Sequence, residues 1–287
     1  MKTVVITGAN SGLGFETAGK IAMDKDYKVV LACRNLEKAS IAREEIVSRT
    51  GNPNILTMRI DTSSLASVAE FAREFISREG SLYALVNNAG ISPMGNSGMT
   101  EDGFELVFAT NYLGHFLLTN LLLPFFEPGG RILSVSSDMH NPPGGISWRG
   151  VEALAHPSED SRLKYSYSKL CMIYFTHYLN DLLVREGRNL RVNSFNPGFM
   201  ADTNFSKGGG KMREMAIKTA MPERYGTLET SSDALSLLVT GESFGAVGGE
   251  YFDRSTSTAA SSELSYDRDN AAELWGRSLE YVAAFLG

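Results

Sequence analysis

The sequence predicts an α/β protein, a doubly wound parallel β-sheet with helices on both faces. Three observations carry that expectation. Short β-branched runs recur without alternating polar and apolar residues, as strands buried on both faces require. Stretches with helical apolar spacing separate them. Strand and helix alternate about six times, and parallel neighbours need such crossovers.

The first strand is Thr3–Thr7, followed by a glycine-rich turn and a helix. Lys28–Cys33 and Ile55–Ile60 are the second and third strands. Leu65, Val68, Ala69, Ala72, Phe75 and Ile76 then form one apolar helical stripe, with Ser63 or Ser64 as its N-cap. Ala84–Asn87 is the fourth strand and Phe104–Leu123 a long helix. Arg131–Ser136 is the fifth strand, a helix runs from Tyr165 to about Arg185, and Leu190–Asn196 is the sixth strand. Two stretches break this rhythm, residues 138–164 and 199–224, the second containing Gly208, Gly209 and Gly210. Both follow the carboxyl ends of strands, where open α/β sheets bind ligands, so they are expected to line a substrate site. The 199–224 stretch reads as a lid. Ser255–Ser262 reads as a surface loop. No linker divides the pattern, so residues 1–287 form one domain.

The chain carries 27 Lys+Arg against 33 Asp+Glu, a formal charge of -6, which argues against nucleic acid or an anionic membrane as partner. Cys33 and Cys171 make neither a disulfide framework nor a zinc site, and no metal is expected. Met1-Lys2 leads directly into a strand, leaving no room for a secretory signal. The most apolar stretch, Phe116–Phe126, falls short of a membrane span. A cytoplasmic location is the expectation.

The turn after the first strand reads Thr7-Gly8-Ala9-Asn10-Ser11-Gly12-Leu13-Gly14. Its glycines let the backbone turn tightly and approach a pyrophosphate at the following helix N-terminus, the Rossmann-type dinucleotide site. The second strand ends Ala32-Cys33-Arg34-Asn35, without the acid that would hold a ribose 2′-hydroxyl. Arg34, with Lys38 one turn on, suits a 2′-phosphate instead, so the expected cofactor is NADP(H).

Tyr165 and Lys169 lie four residues apart on one helix face. An ammonium ~4 Å from a phenol, at an effective dielectric of ~20, is worth about three pK units, enough to bring a tyrosine from about 10 toward 7. The fifth strand ends Ser134-Val135-Ser136-Ser137, and either Ser136 or Ser137 faces the cleft, since strand neighbours alternate. His115 reads as a core histidine; His140, Cys171 and Tyr167 are possible substrate contacts.

The glycine motif, Asp61, Asn87-Asn88-Ala89-Gly90, Asn111, Ser137, Tyr165 with Lys169, and Asn196-Pro197-Gly198 occur in one order along nearly the whole chain. In this the sequence resembles the short-chain dehydrogenase/reductase family. The resemblance implies hydride transfer between a nicotinamide and a carbonyl or alcohol. It assigns Tyr165 as proton donor, Lys169 as the group that lowers its pKa and holds the ribose, and Ser137 as hydrogen-bond donor to the substrate oxygen. Asn111 would hold a relaying water. Asp61, Asn88, Ala89, Gly90, Pro197, Gly198 and Thr203 would line the cofactor. Family members pair through their long helices, here Phe104–Leu123 and Tyr165–Arg185, so a homo-oligomer is possible.

Asn111-Tyr112-Leu113-Gly114-His115-Phe116 and Ser168-Lys169-Leu170-Cys171 resemble the branch of retinol dehydrogenases and light-dependent protochlorophyllide oxidoreductases. Phe199 stands where the latter place Cys. The reading is a dark, NADPH-dependent reductase of a bulky, apolar carbonyl compound. The alternatives are a protochlorophyllide-reductase-like C=C reductase and an NADPH-binding redox sensor without turnover.

Overall fold

Six strands form where the β-branched runs place them: β1 (Lys2–Thr7), β2 (Tyr27–Cys33), β3 (Ile55–Arg59), β4 (Leu82–Asn87), β5 (Phe126–Val135) and β6 (Leu190–Asn196). The computed structural model describes residues 1–92, 96–158, 162–200, 219 and 224–287. Among these residues β7 (Tyr251–Asp253) and β8 (Thr258–Ala259) complete an eight-stranded sheet of order β3-β2-β1-β4-β5-β6-β7-β8. All neighbours are parallel except β7 and β8. The reading of Ser255–Ser262 as a plain loop is thereby corrected: Ala259 pairs antiparallel with Tyr251. A two-residue strand is too short to show a period.

The helices are α1 (Gly12–Ala22), α2 (Leu36–Thr50), α3 (Leu65–Glu79), α4 (Leu106–Phe108), α5 (Gly114–Leu122), α6 (Val151–Ala155), α7 (Lys164–Arg185), α8 (Leu228–Thr240) and α9 (Arg268–Leu286). Ser64, rather than Ser63, caps α3, its hydroxyl accepting from the Ser67 amide. Helices α1, α2 and α8 bury Ile21, Ile46 and Leu235 against Val4, Ile6 and Leu31 on one face of the sheet. Helices α3, α5, α7 and α9 bury Phe71, Phe116, Phe175 and Trp275 against Val5 and Val30 on the other. The fold is thus a single-domain, doubly wound sheet. Strand order reverses between β1 and β4, opening a crevice at their carboxyl ends.

Two expectations change. The helix at Phe104–Leu123 is continuous only through a π-turn, Ala109–Leu113, between α4 and α5, and the apolar helical stretch is Leu106–Phe125, longer than 116–126. By length and composition it matches a membrane span, yet 78% of its most apolar window is buried inside the protein. One face of the long helices is also covered within the chain. Helix α9 packs on α5 and α7, with Trp275 stacked on Tyr178 and edge-on to Phe116, ring centres 4.9 and 5.0 Å apart. The Tyr112 hydroxyl meets Ser278 at 2.8 Å beneath it. That surface is occupied by the chain's own C-terminus.

Candidate active site

The carboxyl ends of β1, β4, β5 and β6 bring the expected residues to one crevice. Gly8 and Gly12 adopt left-handed backbone angles, φ of 68° and 58°, which an L side chain resists. A Cβ on Gly14 would lie 2.5 Å from Asn88 Nδ2 and 3.0 Å from the Gly8 carbonyl. Ser11 caps α1 in extended conformation without a side-chain bond to the helix, so it does not occupy the first turn's amides, which follow Asn10. Leu13 points into the core, leaving only its backbone for a ligand. These features fit the diphosphate of a dinucleotide, whose charge the helix N-terminus favours.

Asn88 braces this loop. Its Nδ2 donates to the Thr7 carbonyl at 2.7 Å, while the Asn88 and Ala89 amides both donate to Thr7 Oγ1 at 2.9 Å. Arg34 is 72% exposed beyond β2, and Lys38 stands exposed one turn into α2, which Asn35 caps. Although no acid ends β2, one lies near in space: Arg34 Nη1 is 4.0 Å from Asp61 Oδ2, because β3 pairs beside β2. The Asp61 carboxylate is otherwise engaged by the Ser63 amide and hydroxyl.

At the other end of the crevice Ser137 leaves β5 and Tyr165 and Lys169 lie on α7. A side-chain hydrogen bond joins the Tyr165 hydroxyl to Ser137. Ser136 turns inward instead, donating to the Lys169 carbonyl at 2.9 Å. Lys169 is 4% exposed, donates to the Val135 carbonyl at 2.8 Å, and holds its Nζ 5.6 Å from the Tyr165 ring centre. The expected lowering of the tyrosine does not appear. Burial pushes the Tyr165 phenol above its ordinary value and outweighs the Ser137 bond, while burial also lowers Lys169 to about 8.

Asn111 sits buried in the π-turn. Its Oδ1 accepts from the Ile91 amide at 2.8 Å, and its Nδ2 donates to the Ile91 carbonyl and to Ser168 Oγ. Ser168 in turn donates to the Tyr165 carbonyl. Gly90 is pressed between these groups: a Cβ there would lie 3.2 Å from Asn111 Oδ1 and 3.8 Å from Lys169 Nζ. After β6, Asn196 accepts from the Gly198 amide, and Ser231 donates to the Pro197 carbonyl. Thr203, Gly208–Gly210 and most of the expected lid lie outside the described residues. The ends of that stretch meet, Phe199 donating to the Arg224 carbonyl at 2.8 Å, and Arg224 reaches Asp138 at 3.6 Å.

His140, Cys171 and Tyr167 do not face the crevice. Cys171 is fully buried, and Tyr167 packs in the core and donates to the Ser147 carbonyl. His140 accepts from the Ser262 amide at Nε2, so Nδ1 carries the proton and donates to the Ser137 carbonyl at 2.7 Å. It thereby ties Ser137 to the segment after β8. The bracing roles of Thr7, Ser168 and His140 carry no motif signal, because the partners His115, Asn111 and Ser262 lie far away in sequence. A hollow of about 430 Å³ opens beside α6, lined in part by Arg149, His156, Lys164, Tyr167 and Ser168, but not by Ser137 or Tyr165.

Residues 2–147 match the family described as short chain dehydrogenase. The chain is 37% identical to retinol dehydrogenase 13 of Mus musculus over 98% of its own length and 84% of the relative's. It is 32% identical to the chloroplastic short-chain dehydrogenase TIC 32 B of Brassica napus, over 98% of this chain and 88% of that one. A crystal structure of an uncharacterised protein from Mycobacterium Paratuberculosis superposes with a TM-score of 0.75 at 30% identity, covering 99% of this chain and 94% of that one. A 3-ketoacyl-(acyl-carrier-protein) reductase from Brucella melitensis, complexed with NADH, shares the fold at a TM-score of 0.66 and 23% identity, covering 88% and 96%. The chain belongs to the short-chain dehydrogenase family and is an oxidoreductase of the kind that transfers hydride to or from a nicotinamide cofactor.

Proposed function

We propose that the protein is an NADP(H)-dependent oxidoreductase that interconverts bulky, apolar aldehydes or ketones with their alcohols. The observation that carries this reading is the bonded pair of Ser137 and Tyr165 at the end of β5, with Lys169 behind the phenol and the Gly90 backbone against both Asn111 and Lys169. Developing charge on a carbonyl oxygen needs donors beside it; the Tyr165 hydroxyl would be one, and the Ser137 hydroxyl, which donates to Asp138 Oδ1 at 3.2 Å, would turn to that oxygen as the other.

The dinucleotide, when bound, supplies or accepts the hydride. Gly8, Asn10, Ser11, Gly12, Gly14, Asn88, Ala89, Gly90, Pro197 and Gly198 would lie along it, with the Leu13 backbone. Arg34, Lys38 and Asp61 would meet its adenine ribose, Arg34 pairing with a 2′-phosphate. In reduction, Ser137 orients the carbonyl oxygen and Tyr165 gives that oxygen its proton as hydride reaches the carbon. A phenol held above its ordinary pKa is fully protonated at neutral pH, as an acid in that direction must be. Lys169 restores charge balance behind it, and Asn111 holds the Ile91 and Ser168 geometry on which the relay to solvent depends. Support for an apolar substrate comes from the relatives named retinol dehydrogenase, so a polyene aldehyde is the first probe.

The test is NADPH consumption in the dark across bulky aldehydes, ketones and quinones. Turnover that disappears in Tyr165→Phe supports the reading. Tight NADPH binding with no turnover on any carbonyl overturns it.

A further inference from the structure

His115 is fully buried one turn beyond Asn111 and joins the two halves of the site. Its Nε2 lies 2.9 Å from Thr7 Oγ1, and its Nδ1 lies 3.1 Å from the Asn111 carbonyl. Which nitrogen carries the proton follows from the count at Thr7. The hydroxyl oxygen has two lone pairs, and the Asn88 and Ala89 amides, each at 2.9 Å, use both. A proton on His115 Nε2 would be a third donor to that oxygen. The Thr7 proton must therefore go to Nε2, its other acceptor being the Val86 carbonyl at 3.4 Å. Nδ1 is left protonated, facing a carbonyl that can only accept. An imidazolium would place a donor against an oxygen already filled, and the nearby Lys169 cation also opposes it.

We propose that His115, as the neutral Nδ1–H tautomer, is a positioning residue that couples the cofactor loop to the proton-relay turn. One nitrogen orients the Thr7 hydroxyl and, through it, the Asn88–Ala89 backbone beneath the dinucleotide. The other holds the Asn111 carbonyl, and so the π-turn whose side chain grips Ile91 and Ser168. The chain of bonds runs in one direction, amide to hydroxyl, hydroxyl to imidazole, imidazole to carbonyl. This inference rests on the nucleotide-dependent oxidoreductase reading and adds a residue to its machinery.

Two substitutions separate the halves. In His115→Asn the amide nitrogen stands near the place of Nδ1; Asn120 already makes that bond on this helix, donating to the Phe116 carbonyl four residues back at 2.8 Å. Asparagine keeps the Asn111 bond and loses Thr7. His115→Gln reaches toward Thr7, accepts its proton and loses the Asn111 carbonyl. NADPH affinity, read by fluorescence titration without substrate, falls about tenfold in His115→Asn, and kcat falls by less than affinity does. In His115→Gln, kcat falls about tenfold, with its pH profile displaced, and affinity is kept. Equal losses of both quantities in both variants, or no loss in either, overturn the proposal. Where the variants do not fold, nitrogen NMR of the wild-type histidines reads the tautomer directly. A protonated Nδ1 with a bare Nε2 on His115 supports the proposal; the other tautomer or an imidazolium at neutral pH overturns it. Wild-type protein that fails to bind NADPH sinks the nucleotide reading instead, with the tautomer still measurable.

Discussion

The Nζ of Lys169 lies 5.6 Å from the Tyr165 ring centre, buried and bonded to the Val135 carbonyl. Burial lowers this lysine from its ordinary value to about 8, so the protein holds a cation where the fold alone would prefer a neutral group. The penalty is present below about pH 8 and vanishes as pH rises toward the ordinary lysine value. Lys169→Met should therefore raise the melting temperature at neutral pH while carbonyl reduction falls at least about a hundredfold. In the wild type, reductive kcat should decline as pH rises through about 8, when the cation is lost. A less stable Lys169→Met protein, or a flat wild-type profile there, would contradict this account.

Acid acts on the histidines. Burial holds His115 near 4, and it lowers His140 and His177 as well. All three are lowered in the folded chain, so their stabilisation is complete above the ordinary histidine value of about 6.5 and is lost as pH falls through the folded values. For His115 alone the loss between 6.5 and about 4 is roughly 3 kcal/mol. Denaturant melts at about pH 7 and about pH 4.5 check it. Stability that does not fall across that interval would show that the imidazole is not held neutral.

Strands β1 to β6 were open to sequence reading because each carries a short apolar or β-branched run, unbroken where both faces are buried and less so in the edge strand β3. The residues that motifs mark as a candidate site were open as well, since Tyr165 and Lys169 are four apart and Gly8 to Gly14 are contiguous. Long-range pairing was not. Thr7 meets His115, and His140 meets Ser262, across more than a hundred residues. The π-turn at Asn111 arises from a shift of backbone hydrogen bonds, which no side-chain pattern records. The raised Tyr165 pKa depends on how deeply the lysine and the phenol are both buried, and spacing along a helix says nothing of that.

Helix α9 predicts a clear effect of removing its anchor. Trp275 is 8% exposed and sits among Phe116, Phe175 and Tyr178. Trp275→Ala should reduce stability by about 3–5 kcal/mol, measured by denaturant unfolding. Deleting the whole helix bares the apolar faces of α5 and α7, and the shortened chain should dimerise or aggregate in sedimentation experiments. A shortened chain that sediments as a stable monomer would show that the helix covers nothing sticky.

Cofactor choice should turn on Arg34 with little effect on the fold, because its side chain is 72% exposed and the acid that it meets among the described residues, Asp61, is 4.0 Å away. An exposed pair at that distance contributes little to stability. A 2′-phosphate carries more charge than that carboxylate and accepts the guanidinium fork at two oxygens, so a bound phosphate would draw Arg34 from Asp61. Arg34→Glu reverses the attraction and sets an acid where a ribose hydroxyl can donate to it. NADPH affinity should fall at least about tenfold, NADH affinity should rise or hold, and the melting temperature should stay unchanged. Titrating both nucleotides against the two proteins gives the answer. If NADPH binds Arg34→Glu as tightly as wild type, Arg34 does not read the phosphate and the preference for NADP(H) has lost its basis.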